Sequence, residues 1–370
     1  LEIAVDQAAA RLISALGNQL HDSNEGDSMG GAAKRFEKVA VIGGGGYVGS
    51  VLVPRLLDEG YEVVVLDLFI YGEEPLAPVR SNPRLTVIKG DVRDQGTVRQ
   101  AVHGCEAVIH LACISNDPSV ELDPQLSQSV NFDSFGPCVK ISKEAGVQRF
   151  IFASSGSVYG VSDSPQVTED HPLVPVSLYN KYKAACEPVL FAEQSPSFTT
   201  VAIRPATICG YSPRQRLDLT VNILTNHAVN NGKITVFGGV QMRPNLHMQD
   251  MVDLYCLLLT VPDEKIAGKI FNAGYQNYTV ADTAKVIREV VRQEMPEKGE
   301  IEIVTTPSDD IRSYRINSDK IQRELGFVPK HTIEDGARDL IKAFKAGKLP
   351  DSMSDIRYSN IKMMKAVQLK

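Results

Sequence analysis

The amino-acid sequence predicts an α/β fold, a doubly wound parallel sheet with a smaller C-terminal lobe, and three observations carry that expectation. Between residue 38 and about Ala153, short apolar runs alternate with helix-compatible stretches, the order that builds a parallel sheet with helices on both faces. The first strand–helix junction is a run of glycines. From about Arg204 the elements shorten, and Pro, Gly and Asn breaks become more frequent, which marks a second architectural region.

Residues 1–35 stand outside this alternation. Ile3, Val5, Ala8, Leu12, Ile13, Leu16 and Leu20 follow helical spacing, and the polar, glycine-containing stretch His21 to Gly31 reads as a linker. The expectation is a helix docked on the body or on a neighbouring subunit. A basic n-region and a continuous apolar core are both missing, which argues against a signal peptide. A chain opening on Leu1 is consistent with processing or truncation, and Met29 offers an alternative start.

Lys38 to Ile42 reads as the first strand, followed directly by Gly43-Gly44-Gly45-Gly46-Tyr47-Val48-Gly49. Gly43, Gly46 and Gly49 fall on a G-x-x-G-x-x-G pattern, and a helix-compatible stretch runs from Ser50 through Leu57 to Gly60. Strand, glycine turn and helix N-terminus make an anion site, because free backbone N–H groups point at a pyrophosphate and the helix dipole favours its charge. A second strand, Tyr61 to Leu66, ends in Asp67, 18 residues after Gly49. An acid there binds the adenosine ribose hydroxyls and repels a 2′-phosphate, so NAD is expected over NADP.

Tyr179 and Lys183 are four residues apart, one above the other on a helix face. A Lys ammonium beneath a phenol favours the phenolate and pulls a pKa that starts near ~10 toward neutrality. Ser154, Ser155, Gly156 and Ser157 lie upstream, and a serine hydroxyl can hold a substrate oxygen while the phenolate removes its proton. Pro188, five residues past Lys183, is expected to kink that helix or end its regular hydrogen bonding.

With these residues in view, the stretch from Lys38 to Lys345 resembles the extended short-chain dehydrogenase/reductase family, in its nucleotide-sugar epimerase/dehydratase branch. Leu85 to Gly90 with Asp91-Val92 is similar to the family's third strand and its adenine-contacting acid. Ala107 to Leu111 with Ala112 resembles the fourth strand, passing under the cofactor. Asn131 stands where the family carries a structural asparagine. Phe150 to Ala153 leads into a serine segment that ends in Val158-Tyr159-Gly160, and Arg204-Pro205 follows. Arg243-Pro244-Asn245-Leu246-His247-Met248-Gln249-Asp250 resembles the segment covering the substrate's diphosphate side. The stretch around Arg312 and Arg315 resembles a late nucleotide-facing one.

The resemblance implies a Rossmann-type NAD-binding domain over residues 36–203, a mainly substrate-binding lobe over 204–348 and a tail over 349–370, after the extension at 1–35. It implies Ser155, Tyr179 and Lys183 as catalytic residues. The NAD site would comprise Gly43, Gly46, Tyr47, Val48, Gly49, Asp67, Asp91, Val92, Leu111 and Ala112, with Tyr179 and Lys183. Ser155, Thr207, Arg243 and Arg312 would contact substrate, with no metal. The expected activity is epimerisation of a nucleoside-diphosphate sugar through a transient 4-keto intermediate. The alternatives are a dehydrogenase or ketoreductase, or a decarboxylase, on the same substrates. A dinucleotide sensor without turnover would carry a damaged Ser/Tyr/Lys set, and here the set is intact.

The chain departs from the family's pattern in places. Gly156 and Ser157 occupy the positions where sugar 4,6-dehydratases carry an Asp-Glu pair, without which eliminating water is hard to run. Thr207 and Cys209 stand where epimerases often have Asn and Tyr. Among other candidates, His110 is expected as a satisfied core histidine and Tyr182 as packing. For His247 a structural hydrogen bond and a ligand contact are both open. Arg214 and Arg216 either close over the nucleotide or are solvated.

Composition agrees with a globular enzyme. At 370 residues and 43% hydrophobic, the chain can bury a large core. A formal charge of −6 argues against nucleic-acid binding, whose signature is a basic patch. The six cysteines are scattered without C-x-x-C pairs or ligand spacing, which suits reduced thiols in a cytoplasmic protein. No apolar stretch approaches the ~20 residues that span a bilayer. The family resemblance also implies a homodimer. Phe132, Phe135, Val139 and Ile141 are spread over more than one face of the expected helix from Ser129 to Glu144, so part of it needs cover beyond the sheet.

Overall fold

The computed structural model describes residues 34–308 and 312–367; the expected N-terminal helix and linker lie outside the described residues. Seven strands form the main sheet: β1 (Lys38–Ile42), β2 (Glu62–Asp67), β3 (Leu85–Lys89), β4 (Ala107–His110), β5 (Arg149–Ala153), β6 (Thr199–Pro205) and β10 (Lys269–Ala273). Their order is β10-β6-β5-β4-β1-β2-β3, and every neighbouring pair is parallel. Strand residues alternate between the two faces, as a period of two requires. Val39, Val41, Val63, Val65 and Ile109 join the core beneath helices α1 (Gly49–Asp58) and α6 (Met248–Thr260). Ala40, Ile42, Val64, Leu66 and Val108 join the opposite core, against α2 (Gln95–Val102), α3 (Phe135–Glu144) and α4 (Leu178–Phe191). Both faces are covered, which is why these strands read as continuous apolar runs.

The direction of strand succession reverses at β1, which pairs with β2 on one side and β4 on the other. Connections leave the two sides in opposite directions there, so a crevice opens at the carboxyl ends of the strands. β10 and α6 return to the main sheet from beyond residue 204, so the large layer is closed by late sequence. The lobe comprises a three-stranded sheet of β7 (Thr207–Cys209), β9 (Met242–His247) and β11 (Gln276–Thr279), and a parallel pair of β8 (Lys233–Phe237) and β12 (Glu302–Thr306). Helices α5 (Thr220–Asn231), α7 (Val280–Glu294) and α9 (Ile333–Lys345) share its core, whereas α8 (Asp319–Leu325), between the last two in the chain, packs Ile321 and Leu325 into the main-sheet core beneath α1 and α6.

Two helices differ from expectation, and proline bears on both. The stretch from Ser129 to Glu144 is a π-turn, Ser129–Asp133, followed by α3. Pro137 lacks the N–H that an α-helical bond to Asp133 would need, so the wider turn ends where the proline takes its place in the first turn of α3. Pro188 lies inside α4, but the helix ends three residues later at Phe191, so the lost bond is confined to the last turn. Phe135, Val139 and Ile141 are buried within the subunit, and Phe132 stacks on Tyr182 with centroids 6.5 Å apart. The apolar surface invoked for a dimer is therefore mostly satisfied inside one chain. The tail from Leu349, where no period was legible, forms a 3₁₀ turn, Ile356–Tyr358, and a helix, α10 (Asn360–Val367).

Candidate active site

A cavity of about 540 Å³ opens at the crevice. Its floor is built by backbone. The N–H groups of Leu111 and Ala112 both reach the Ile42 carbonyl, at 2.7 and 2.9 Å, and so bring the end of β4 against the glycine turn. Gly43 has φ +90°, and a Cβ there would lie 2.5 Å from the Ala112 nitrogen, so only glycine fits. A Cβ at Gly49 would meet the Gly44 carbonyl oxygen at 2.5 Å, which is the close approach of helix to turn expected of the third glycine. Helix α1 has no side-chain cap at its N-terminus; the Ser50 and Val51 N–H groups bond back to the Gly46 and Val48 carbonyls at 2.9 and 3.1 Å, so it is the helix dipole that the first turn offers an anion. Gly46, Tyr47 and Val48 complete this wall.

Asp67 ends β2 at the cavity edge. Its carboxylate accepts from the Gly45 N–H at 2.9 Å and the Phe69 N–H at 2.7 Å, and burial pushes the carboxyl up despite these bonds. Val92 lines the same region, whereas Asp91 is not in the cavity wall. Arg93 holds the Asp91 carboxylate, with Nη2 at 2.6 Å, and its hydrogen bonds keep the acid below its usual range in spite of partial burial. Asp91 thus stands just behind the lining, between Gly90 and Val92, which both face the cavity.

Tyr179 and Lys183 lie on α4, whose first turn is capped by Ser177. Tyr179 lies beside Ser155, whose side chain acts to lower the pKa of its phenol. The Ser155 hydroxyl lies 2.7 Å from the Ser157 hydroxyl, which donates to Asn180 Oδ1 at 2.5 Å. Burial pushes the Tyr179 phenol strongly up, and Lys183 is not among the main influences upon it. This differs from the downward shift expected from the spacing. The Lys183 ammonium donates to the Ala153 carbonyl at 2.6 Å and sits 4.9 Å from the Phe152 ring centroid, but 6.0 Å from that of Tyr179. Helical spacing put the pair on one face; the end of β5 decides where the ammonium points.

Thr207, Arg243 and Arg312 also line the cavity. Arg243 Nη1 donates to the Met242 carbonyl at 3.0 Å and to that of Arg312. Arg312 pairs with Asp117, whose other oxygen accepts from Ser177, so the lobe is tied to the start of the catalytic helix. Arg214 and Arg216 are buried in the wall rather than solvated. Arg214 stacks on Tyr71 at 3.5 Å, and Arg216 pairs with Asp218 at 2.9 Å. Nε and Nη1 of Arg214 and Nη2 of Arg216 find no hydrogen-bond partner among the described residues. Buried guanidinium nitrogens without partners are costly unless an anion meets them. With the uncapped helix and the glycine turn, they fit the pyrophosphate of a dinucleotide.

Other residues fall elsewhere. His110 is a core residue, but it is not satisfied: neither ring nitrogen has a partner among the described residues, and Phe135, Phe150 and Phe152 surround it. Burial lowers its pKa to about 3, with a contribution from Lys183. His247 caps α6, accepting from the Gln249 N–H at 3.2 Å, and does not line the cavity. Asn131 brackets Ile114, accepting from its N–H at 2.8 Å and donating to its carbonyl at 2.9 Å. Tyr71, Ser115 and Asn360 line the cavity without having been singled out in the sequence. No local spacing marks them, because each is brought in by packing between distant segments.

The NAD dependent epimerase/dehydratase family matches residues 39–274. Over 318 residues the chain is 27% identical to a UDP-glucose 4-epimerase of Lactobacillus helveticus, covering 80% of this chain and 92% of that protein. Over 305 residues it is 28% identical to a dTDP-glucose 4,6-dehydratase of Streptomyces griseus, covering 80% and 90%. A crystal structure of a dTDP-glucose 4,6-dehydratase from Streptomyces venezuelae, solved with NAD bound, superposes with a TM-score of 0.74 at 26% identity, over 83% of this chain and 97% of that one.

Proposed function

The chain belongs to the NAD dependent epimerase/dehydratase family, and from that premise we propose that it epimerises a nucleoside-diphosphate sugar through a transient 4-keto intermediate. Bound NAD supplies the hydride acceptor and donor; Gly43, Gly46, Asp67 and the start of α1 would hold it. The protein's part is proton handling and orientation. Ser155 holds the reacting sugar oxygen, and Tyr179 takes its proton and later returns one. Arg243 and Arg312 stand at the lobe side of the cavity, where guanidinium forks suit a diphosphate.

The observation that favours epimerisation over dehydration is at Gly156. A Cβ there would lie 2.2 Å from Ile316 Cδ1 and 3.0 Å from the Pro205 carbonyl oxygen, so an acid could enter only if Ile316 moved. Among the described residues, the carboxylates that line the cavity are Asp67, Asp117 and Asp218, and each is already hydrogen-bonded or ion-paired. Among the described residues, none of these carboxylates is left free to serve as the acid or base for loss of water across C5 and C6. The test is incubation with a panel of UDP-, GDP-, dTDP- and CDP-sugars, with products read by NMR. Redox-neutral isomerisation is expected, with no lasting change at the nicotinamide absorbance band. Release of water or CO₂ from the sugar, or net reduction of NAD, would refute it.

A further inference from the structure

Asn360 is 1% exposed although it lies close to the C-terminus, and its polar groups tie together three segments of the cavity wall. Its Oδ1 accepts from Arg214 Nη2 at 2.5 Å. Its Nδ2 donates to the Ser115 hydroxyl at 2.7 Å, in the loop after β4, and its backbone N–H donates to Asp218 at 2.9 Å. The Leu217 N–H donates to the Tyr358 carbonyl at 2.9 Å, so residues 356–361 clasp the loop that carries Arg214 and Arg216. Below this clasp, the Asn226 side chain of α5 donates to the Ser352 carbonyl at 3.2 Å.

Arg214 belongs to the dinucleotide half of the cavity. Its own N–H reaches the hydroxyl of Ser50, in the first turn of α1, at 3.3 Å, and Ser212 donates to the Tyr47 carbonyl at 2.7 Å. Its guanidinium is stacked on Tyr71, two of its nitrogens have no partner among the described residues, and the third is held by Asn360. A stacked guanidinium can still slide in the plane of its ring partner. The hydrogen bond to Asn360 removes that freedom and fixes Arg214, which lines the same cavity as the glycine turn, with Nε and Nη1 left without partners among the described residues. We propose that Asn360 is a positioning residue that aims Arg214 at a phosphate of the bound dinucleotide, so that residues 356–361 form a strap retaining the cofactor.

The experiment is a double-mutant cycle on the full chain, read as the Kd for NAD by calorimetry on cofactor-free protein. Asn360→Ala should weaken NAD about tenfold, the scale of one charge-assisted hydrogen bond. Arg214→Met should weaken it at least as much. In the Arg214→Met background, Asn360→Ala should then cost no further affinity, because the guanidinium it aims has gone. Thermal unfolding of each cofactor-free variant separates this from general damage. Asn360→Asp keeps the acceptor for Arg214 and should restore the alignment, recovering the melting temperature of the cofactor-free protein, while its added negative charge still opposes the phosphate. Equal losses of NAD affinity in both Arg214 backgrounds would overturn the proposal, as would wild-type affinity in Asn360→Ala.

Discussion

Glu187 follows Lys183 by one helical turn and lies on the same face of α4 as Tyr179, where it meets Arg204 at the end of β6. Both side chains are 3% exposed. The pair is bidentate, with Arg204 Nε to Glu187 Oε1 at 2.9 Å and Nη2 to Oε2 at 2.6 Å. Ser154 donates to the same carboxylate at 2.6 Å, and the Tyr159 hydroxyl accepts from Arg204 Nη1 at 2.8 Å. The network therefore sets the serine segment against the helix that bears the catalytic pair. Glu187→Gln keeps the shape but leaves the Arg204 charge buried without its counterion. Breaking one side of a buried pair costs about 3–5 kcal/mol, and so little exposure leaves no solvent to screen it. The assay is urea unfolding followed by circular dichroism and by tyrosine fluorescence, which is usable because the chain contains no tryptophan. Glu187→Gln, Arg204→Met and the double variant complete a cycle, and the double variant should be less destabilised than the sum of the singles by more than about 1 kcal/mol. A single variant within about 1 kcal/mol of the parent, or strict additivity, would refute the reasoning.

Tyr179→Phe should lose a factor of about 10²–10⁴ in turnover or more while binding NAD almost normally, and survival of a tenth of the rate would remove Tyr179 from proton transfer. Lys183→Ala should lose cofactor affinity as well as activity; loss of activity alone would argue against contact with the nicotinamide ribose. Asp67→Ala should narrow the preference for NAD over NADP, and equal affinity of the parent for both dinucleotides would contradict the role given to this acid. His110 is buried neutral with its pKa lowered to about 3, so the unfolded chain takes up the proton first, and stability should fall as pH drops from about 6.5 toward 3. At about 1.4 kcal/mol per pH unit, the loss from His110 at pH 5 is about 2 kcal/mol; His110→Phe should show a shallower acid dependence, and an unchanged slope would exclude His110 as its source. Sedimentation at micromolar concentration tests the homodimer that the family resemblance implies; a single species near the chain mass of 40.4 kDa would rule it out.

What the sequence determined by itself was local. The glycine turn, the acid at the end of β2 and the Tyr/Lys pair all depend on neighbours within a few residues or on the next strand, and backbone geometry converts such spacing into position. The parallel sheet was legible for the same reason, because strands buried on both faces leave unbroken apolar runs. The short α10 was not legible, since eight residues are too few to establish a period. Only the tertiary structure decided which way a placed side chain points and what it meets. Lys183 turns to the Ala153 carbonyl, Asp91 is taken by Arg93, and the His110 ring, among phenylalanines, has no hydrogen-bond partner among the described residues. The Arg214 guanidinium donates its one hydrogen bond among the described residues to a residue 146 positions away. Spacing along a helix or strand sets a direction relative to the backbone, but a charge is steered by whatever polar group the packed neighbours bring within 3 Å, and that is a property of the assembled fold.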